Sequence, residues 1–224
     1  MAAFHPAFED LPPEIPVFPL AGALLLPRGR LPLNVFEKRY LAMTLDALAA
    51  GRMFGMIQPQ PGAPEGDTGP GLARTGCLGR LSSFSETEDG RLLITLTGVA
   101  RFRVAEELPK RRGYRRVRAD YAPFRDDLDL SDRPSALDRK ALLGALRSFF
   151  RVQGIEANWD AIEQTSDAML VLTLAMVCPF DPRDKQALLE AHTPEERASI
   201  LVALLQMGAQ AGPLPDPPPD SRPS

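Results

Sequence analysis

Cysteine is scarce in these 224 residues: Cys77 and Cys178 stand far apart, with no CxxC pair and no cluster of His and Cys. That spacing excludes a disulfide scaffold and a zinc site and fits a reducing cytosol. Histidine is equally scarce. His5 sits in a proline-broken N-terminal stretch and His192 near a helix break, neither with a serine, cysteine or acid at a catalytic spacing. The only lysines are Lys38, Lys110, Lys140 and Lys185, and none falls in a Ser-Lys arrangement. No GxxxxGK[ST] occurs, so the phosphate cradle of an ATPase is missing. No apolar run reaches the roughly 20 residues of a membrane span. The N-terminus lacks the basic head and continuous apolar stretch of a signal peptide. The glycines at 66, 69 and 71 are interrupted by proline and read as a loop, which argues against dinucleotide binding. No cofactor and no metal is expected.

What is present is an ordinary globular composition, 44% hydrophobic and 25% charged, with net charge −3. The charge is uneven. Residues 1–125 carry 17 Lys and Arg against 13 Asp and Glu, whereas 126–224 carry 9 against 16. An excess of four cations is too small to mark a nucleic-acid domain by itself.

The first half patterns as strands around one helix. Ile15 to Leu20 is an apolar run cut by prolines, which suits a strand edge or start, and Leu31 to Phe36 is a second strand. From Lys38 to Ala50, Leu41, Leu45 and Leu48 follow helical spacing, with Tyr40 and Met43 beside them and Gly51 as a stop. Met53 to Gln58 resumes strand character before a Pro- and Gly-rich loop, Pro59 to Gly71, expected to be mobile. Three strands follow, Gly76 to Ser85, Arg91 to Glu106 and Tyr114 to Pro123. Asp89-Gly90 turns the first hairpin and Gly98 suits a bulge.

Past residue 125 the period becomes helical. Ser135 to Gln153 is one amphipathic helix ended by Gly154, and Asn158 caps a second running from Trp159 to Val177. Asp181-Pro182 starts a third, and Thr193-Pro194-Glu195-Glu196 a fourth through Met207. Asp126-Asp127-Leu128-Asp129 reads as an acidic connector, lacking the glycine and terminal glutamate of a calcium loop. The division is therefore a β-rich lobe over 1–125, a helical lobe over 126–211 and a disordered tail over 212–224.

Several segments, taken in order, resemble one family. Ile15-Pro16-Val17-Phe18-Pro19-Leu20 and Leu31 to Tyr40, with its Phe36-Glu37-Lys38-Arg39-Tyr40 element, resemble the opening of the N-terminal, substrate-binding domain of Lon proteases. Gly76 to Leu81, Asp89-Gly90-Arg91 and Gly98 to Val104 are similar to the hairpin that follows there, and Met176 to Glu190 looks like the end of the helical lobe of stand-alone members. The resemblance runs over roughly residues 14 to 208. It implies an α+β fold, a PUA-like β-barrel lobe with one embedded helix followed by an all-α helical-bundle lobe.

The same resemblance implies a cytoplasmic, non-catalytic module that binds exposed hydrophobic or unfolded polypeptide, an adaptor in proteolysis or protein quality control, with a separate protease as a further partner and no membrane. The candidate peptide-binding residues are Phe18, Met53, Phe54 and Met56, since flexible methionines suit promiscuous contact; the plainer alternative is that all four are core. A different class remains open, because PUA-like barrels also bind RNA. Arg111, Arg112, Arg115, Arg116 and Arg118 form a cationic strip with Tyr114 inside it, against the alternative of a solvated hairpin balanced by Glu106, Glu107 and Asp120. On a strand, Arg116 and Arg118 share one face, and Arg115 and Val117 the other.

Overall fold

The computed structural model describes residues 5–60, 69–129 and 137–212. It divides into two compact units, Met1–Asp132 and Arg133–Ser224.

Among its described residues the first unit holds six strands and one α-helix: β1 (Glu14–Pro19), β2 (Arg30–Val35), α1 (Lys38–Ala49), β3 (Met53–Ile57), β4 (Thr75–Glu86), β5 (Leu92–Arg111) and β6 (Tyr114–Asp120). Their order in the sheet is β2-β5-β4-β3-β1-β6, and β6 pairs again with β5. Five strands thus form a circuit, β5-β4-β3-β1-β6 and back, with β2 outside it. The length of β5 makes this possible: residues 92–103 pair with β4, and 103–111 with β6. The strand expected over Arg91 to Glu106 therefore continues to Arg111. The strand expected over Tyr114 to Pro123 stops at Asp120, and Pro123 lies in a 3-10 segment, Ala122–Leu128.

Alternation sends Ile15, Val17, Leu78, Phe102 and Val117 into a common core, closed by Leu11 and Tyr121. Phe102 fills the space that Gly76 leaves. A Cβ at Gly76 would come within 2.5 Å of the phenyl ring. Gly98 lies beside the bulge expected there, since the β4–β5 register slips between Leu78 and Gly79. A Cβ at Gly98 would meet the Leu26 carbonyl at 2.0 Å, because the Leu24–Leu26 segment is buried against it and Arg28 N–H donates to the Gly98 carbonyl.

Helix α1 buries a different stripe from the leucines. Tyr40, Met43, Thr44 and Ala47 face inward, spaced i, i+3, i+4 and i+7, and Leu45 is exposed. Both stripes fit a helical period. The inner one wins where Tyr40 stacks on Phe18, ring centroids 4.0 Å apart.

The acidic connector is also corrected. Asp127 turns back into the unit and accepts two bonds from the Arg101 guanidinium, at 2.8 and 2.9 Å, and one from the Arg101 N–H at 2.9 Å. Both side chains are about nine-tenths buried, and the guanidinium also lies over the Phe124 ring.

The second unit is helical: α2 (Arg139–Gln153), α3 (Trp159–Gln164), α4 (Asp167–Val177), α5 (Pro182–Glu190) and α6 (Pro194–Ala211). Asp138, Asn158, Asp181 and Thr193 cap four of them through side-chain oxygens. Gly154 closes α2 in the left-handed conformation. Helix α6 packs on α2, α4 and α5 around Leu146, Phe149, Leu174, Leu188 and Leu201. The single helix expected from Trp159 to Val177 is two, broken at Thr165 and Ser166. Arg139 holds the break: it donates to the Ile162 and Glu163 carbonyls at the end of α3 and pairs with Asp167 at the start of α4. Those bonds satisfy carbonyls that a continuous helix would have bonded internally.

The loop expected over 59–71 is described at its ends, where Pro59 bridges Leu72 and Gln60 N–H donates to Gly71. Residues 61–68 and the tail from 213 lie outside the described residues.

Candidate functional site

The four candidate peptide contacts do not make a surface. Phe18, Phe54 and Met56 are buried, and Met53 is partly buried and packed against the core. Met53 shares the inward face of β3 with Ile57, whereas Phe54 and Met56 lie on its opposite face, and Phe18, next to inward Val17, stacks on Tyr40 of α1.

The arginines of the cationic strip divide between the two faces of β6 and the β5–β6 turn, and acids take up their charges. Arg115 is buried beside Val117 and makes a two-pronged pair with Glu107, both bonds 2.8 Å, while also donating to the Pro70 carbonyl. Arg116 and Arg118, on the other face, converge on Glu14, and Arg118 also reaches Glu106. Arg112 and Arg111 flank Asp46 at 2.5 and 3.6 Å. A hydrogen bond from the Tyr114 hydroxyl, more than these arginines, holds the Asp46 carboxyl below the ordinary carboxylate range. Pairing of this kind ties β1, α1 and the β5–β6 hairpin together and leaves little unbalanced charge for a phosphate backbone.

The remaining titratable candidates are structural. Burial pushes the Cys178 thiol up to about 12, with Lys185 pulling it partly back, and Cys77 is buried as well. Burial lowers the His5 imidazole. His192 donates its backbone N–H to the Glu196 carboxylate at the head of α6. Among the described residues no group of three or more His, Cys, Asp or Glu side chains is placed to hold a metal, and no helix is long and apolar enough to cross a membrane.

The sequence reading missed the far end of the β4–β5 hairpin. β3 pairs with β4 only over Cys77–Arg80, with one more bond from Leu81 N–H to the Arg52 carbonyl. There Arg52 and Gly51, both with positive φ, turn the chain away toward α1. Beyond that point β4 continues through Ser82 to Glu86, paired with β5 on one side and with no strand on the other among the described residues.

Which backbone groups face the open side follows from the turn. Thr87 N–H donates to the Arg91 carbonyl and Gly90 N–H to the Thr87 carbonyl, a three-residue loop with Gly90 left-handed. Antiparallel pairs alternate between bonded and non-bonded. Thr87–Arg91 is a bonded pair, so Ser85–Leu93 and Ser83–Thr95 are bonded as well. Phe84 and Glu86 therefore point their N–H and C=O groups outward. The Phe84 side chain is 52% exposed, and on the opposite face Leu93 is 48% exposed between Ser85 and Asn34.

The other free edge is blunted. Along β2, the same alternation puts Pro32, opposite Thr95, in a non-bonded pair with its nitrogen facing outward, where it has no proton to offer. The β4 edge has neither proline nor lysine. In the helical unit Met169, Val177 and Met207 are exposed apolar side chains, with helical backbone beneath them that is already bonded.

A mixed sheet with one open stretch of edge among the described residues, followed in the chain by a helical bundle, makes this an α+β protein. The chain belongs to the ATP-dependent protease La (LON) substrate-binding domain family, whose model matches residues 14–207. Among solved structures it is similar to a Lon N-terminal domain protein from Xanthomonas campestris, with 25% identity, 85% of this chain and 97% of that one covered, and a TM-score of 0.59. The N-terminal domain of Lon protease from the Mycobacterium avium complex shares the fold at 15% identity and the same TM-score, over 86% of this chain and 97% of that one. A Lon protease from Roseiflexus castenholzii is 28% identical over 201 residues, 88% of this chain and 24% of the relative. Lon protease 2 from Myxococcus xanthus is 28% identical over 112 residues, half of this chain and 13% of the relative. The chain thus spans a quarter or less of these relatives' length.

Proposed function

We propose that this protein is a cytoplasmic, non-catalytic module that recognises exposed hydrophobic or unfolded polypeptide and acts as an adaptor in proteolysis or protein quality control. The observation that carries the reading is the family match across residues 14–207, since the family is described as the substrate-binding part of a protease and a protease's substrates are polypeptides. The open β4 edge supports it physically. Backbone groups at Phe84 and Glu86 bond any extended chain regardless of sequence, and Phe84 and Leu93 add apolar contact. Recognition of unfolded clients requires that combination of sequence-blind affinity and loose apolar preference.

Fluorescence anisotropy with a labelled, reduced and carboxymethylated polypeptide, in parallel with a labelled single-stranded RNA, tests the reading at low and at moderate salt. Polypeptide binding that persists at moderate salt is expected. Binding of the RNA alone, collapsing as salt rises, would replace the reading with the nucleic-acid one. The ion pairs along Arg111 to Arg118 weigh against that outcome.

A further inference from the structure

The open edge of β4 is chemically lopsided, which bears on the kind of polypeptide it takes. Side chains at Phe84 and Glu86 are two residues apart on a strand and lie on one face. In the β unit, Glu14, Glu37, Asp46, Glu106, Glu107 and Asp127 all hold an arginine. Glu86 and Glu88 have no ion-pair partner among the described residues, and both are exposed. At the turn, Asp89 is engaged with Arg91, so the tip keeps an uncompensated negative charge beside an exposed phenyl ring.

Resting on the polypeptide-recognition reading, we propose that β4 accepts an added antiparallel strand at Phe84 and Glu86, and that the strand it prefers carries a lysine or arginine two residues before an apolar side chain. Antiparallel addition continues the direction of β3, which pairs antiparallel with β4 from the same side, and antiparallel bonds are the more stable of the two arrangements. Residues of the added strand opposite Phe84 and Glu86 also share one face. Running against β4, the chain meets Glu86 first and Phe84 two residues later. An apolar residue then packs on the phenyl ring while the preceding cation reaches Glu86, with Glu88 just beyond. Opposite-charge and aromatic cross-strand pairs are the units that stabilise such a ladder.

The test uses the whole chain and capped, labelled peptides of about nine residues, a usual strand length, built from Thr and Ser around one Lys and one Phe. The peptide with Lys two residues before Phe is expected to bind roughly three- to fivefold tighter than the same peptide with Glu for Lys, or with the order reversed. The variant Glu86→Lys should invert the preference between Lys and Glu peptides, and Glu86→Gln should abolish it. Methylating the backbone nitrogen of the peptide Phe should cost about tenfold or more, whereas methylating the next nitrogen, which faces away from β4, should cost little.

Unfolded polypeptide bound by the wild type with equal affinity in Glu86→Lys and Phe84→Ser would overturn this proposal and leave the polypeptide reading standing. Failure of the wild type to bind either peptides or unfolded polypeptide would overturn both. A wild-type dimer that those two substitutions dissolve, without peptide binding, would assign the edge to a second copy of the chain and overturn the proposal.

Discussion

At the scale of single residues, burial separates the ion pairs that matter from those that decorate the surface. Arg101 and Asp127 are nearly buried and satisfy each other through three bonds, so Asp127→Ala strands a buried guanidinium. It should cost about 3–5 kcal/mol in urea unfolding, while Arg125→Ala, at the exposed pair with Glu9, should cost about 1 kcal/mol or less. Asp46 gives a pH signature. Its carboxyl is held low by Tyr114, so the stability this contributes is present above the ordinary carboxylate value and is lost as pH falls through the lowered one. Tyr114→Phe should therefore lower the urea midpoint at neutral pH, and the gap to wild type should narrow by pH 3. A gap that widens on acidification would contradict the assignment. Cys178, with its thiol raised to about 12, and buried Cys77 should resist iodoacetamide at pH 8 until denaturant is added, as read by mass spectrometry. Individual side chains were the least legible part of the sequence. The composition of Asp126 to Asp129 reads as a solvated connector because the partner of Asp127 is 26 positions away, and nothing local to the acid announces Arg101.

At the scale of elements, the signals that were legible are those with a local physical cause. Asn158, Asp181 and Thr193 cap helices because their side-chain oxygens reach amides within three residues. Gly90 turns the hairpin because the turn demands positive φ. Asn158 as a cap was readable, but the break at Thr165 and Ser166 was not, since α4 is apolar nearly all round and its period cannot mark a boundary. The inward stripe of α1 was ambiguous for the same reason: Leu41, Leu45 and Leu48 obey a helical spacing as well as Tyr40, Met43 and Ala47 do, and Phe18 decides between them from another element. Two glycines test the packing argued for the sheet. Gly98→Ala drives a methyl group into the Leu26 carbonyl and should destabilise by about 3 kcal/mol. Gly90→Ala meets no neighbour and should cost only about 1 kcal/mol, through its left-handed backbone alone. Equal costs in a thermal melt would mean that the Leu24–Leu26 segment does not press on Gly98.

At the scale of the whole molecule, the sheet manages its edges in two ways and leaves one part open. The circuit removes the edges of β1, β3 and β6 by pairing them, and Pro32 blunts β2. From Ser82 to Glu86 neither device operates on the outer side among the described residues, since the chain leaves β4 at Arg52. The family was legible from ordered motifs because those motifs are architectural: Phe102 fills the space Gly76 leaves, Gly98 admits the Leu26 carbonyl, and Phe36-Glu37 leads into α1. The binding surface was not, because an open edge is a property of strand order and turn direction, and the residues along it, Ser82, Ser83 and Ser85, carry no chemical signal. The central claim is that this edge receives polypeptide. Hydrogen exchange resolved to single amides, with and without saturating unfolded polypeptide, tests it most directly: the outward amides of Phe84 and Glu86 should exchange slowly only in the complex, with those of Ser83 and Ser85 protected in both states. Polypeptide binding that leaves Phe84 and Glu86 exchanging freely, or protects amides elsewhere instead, would contradict the account.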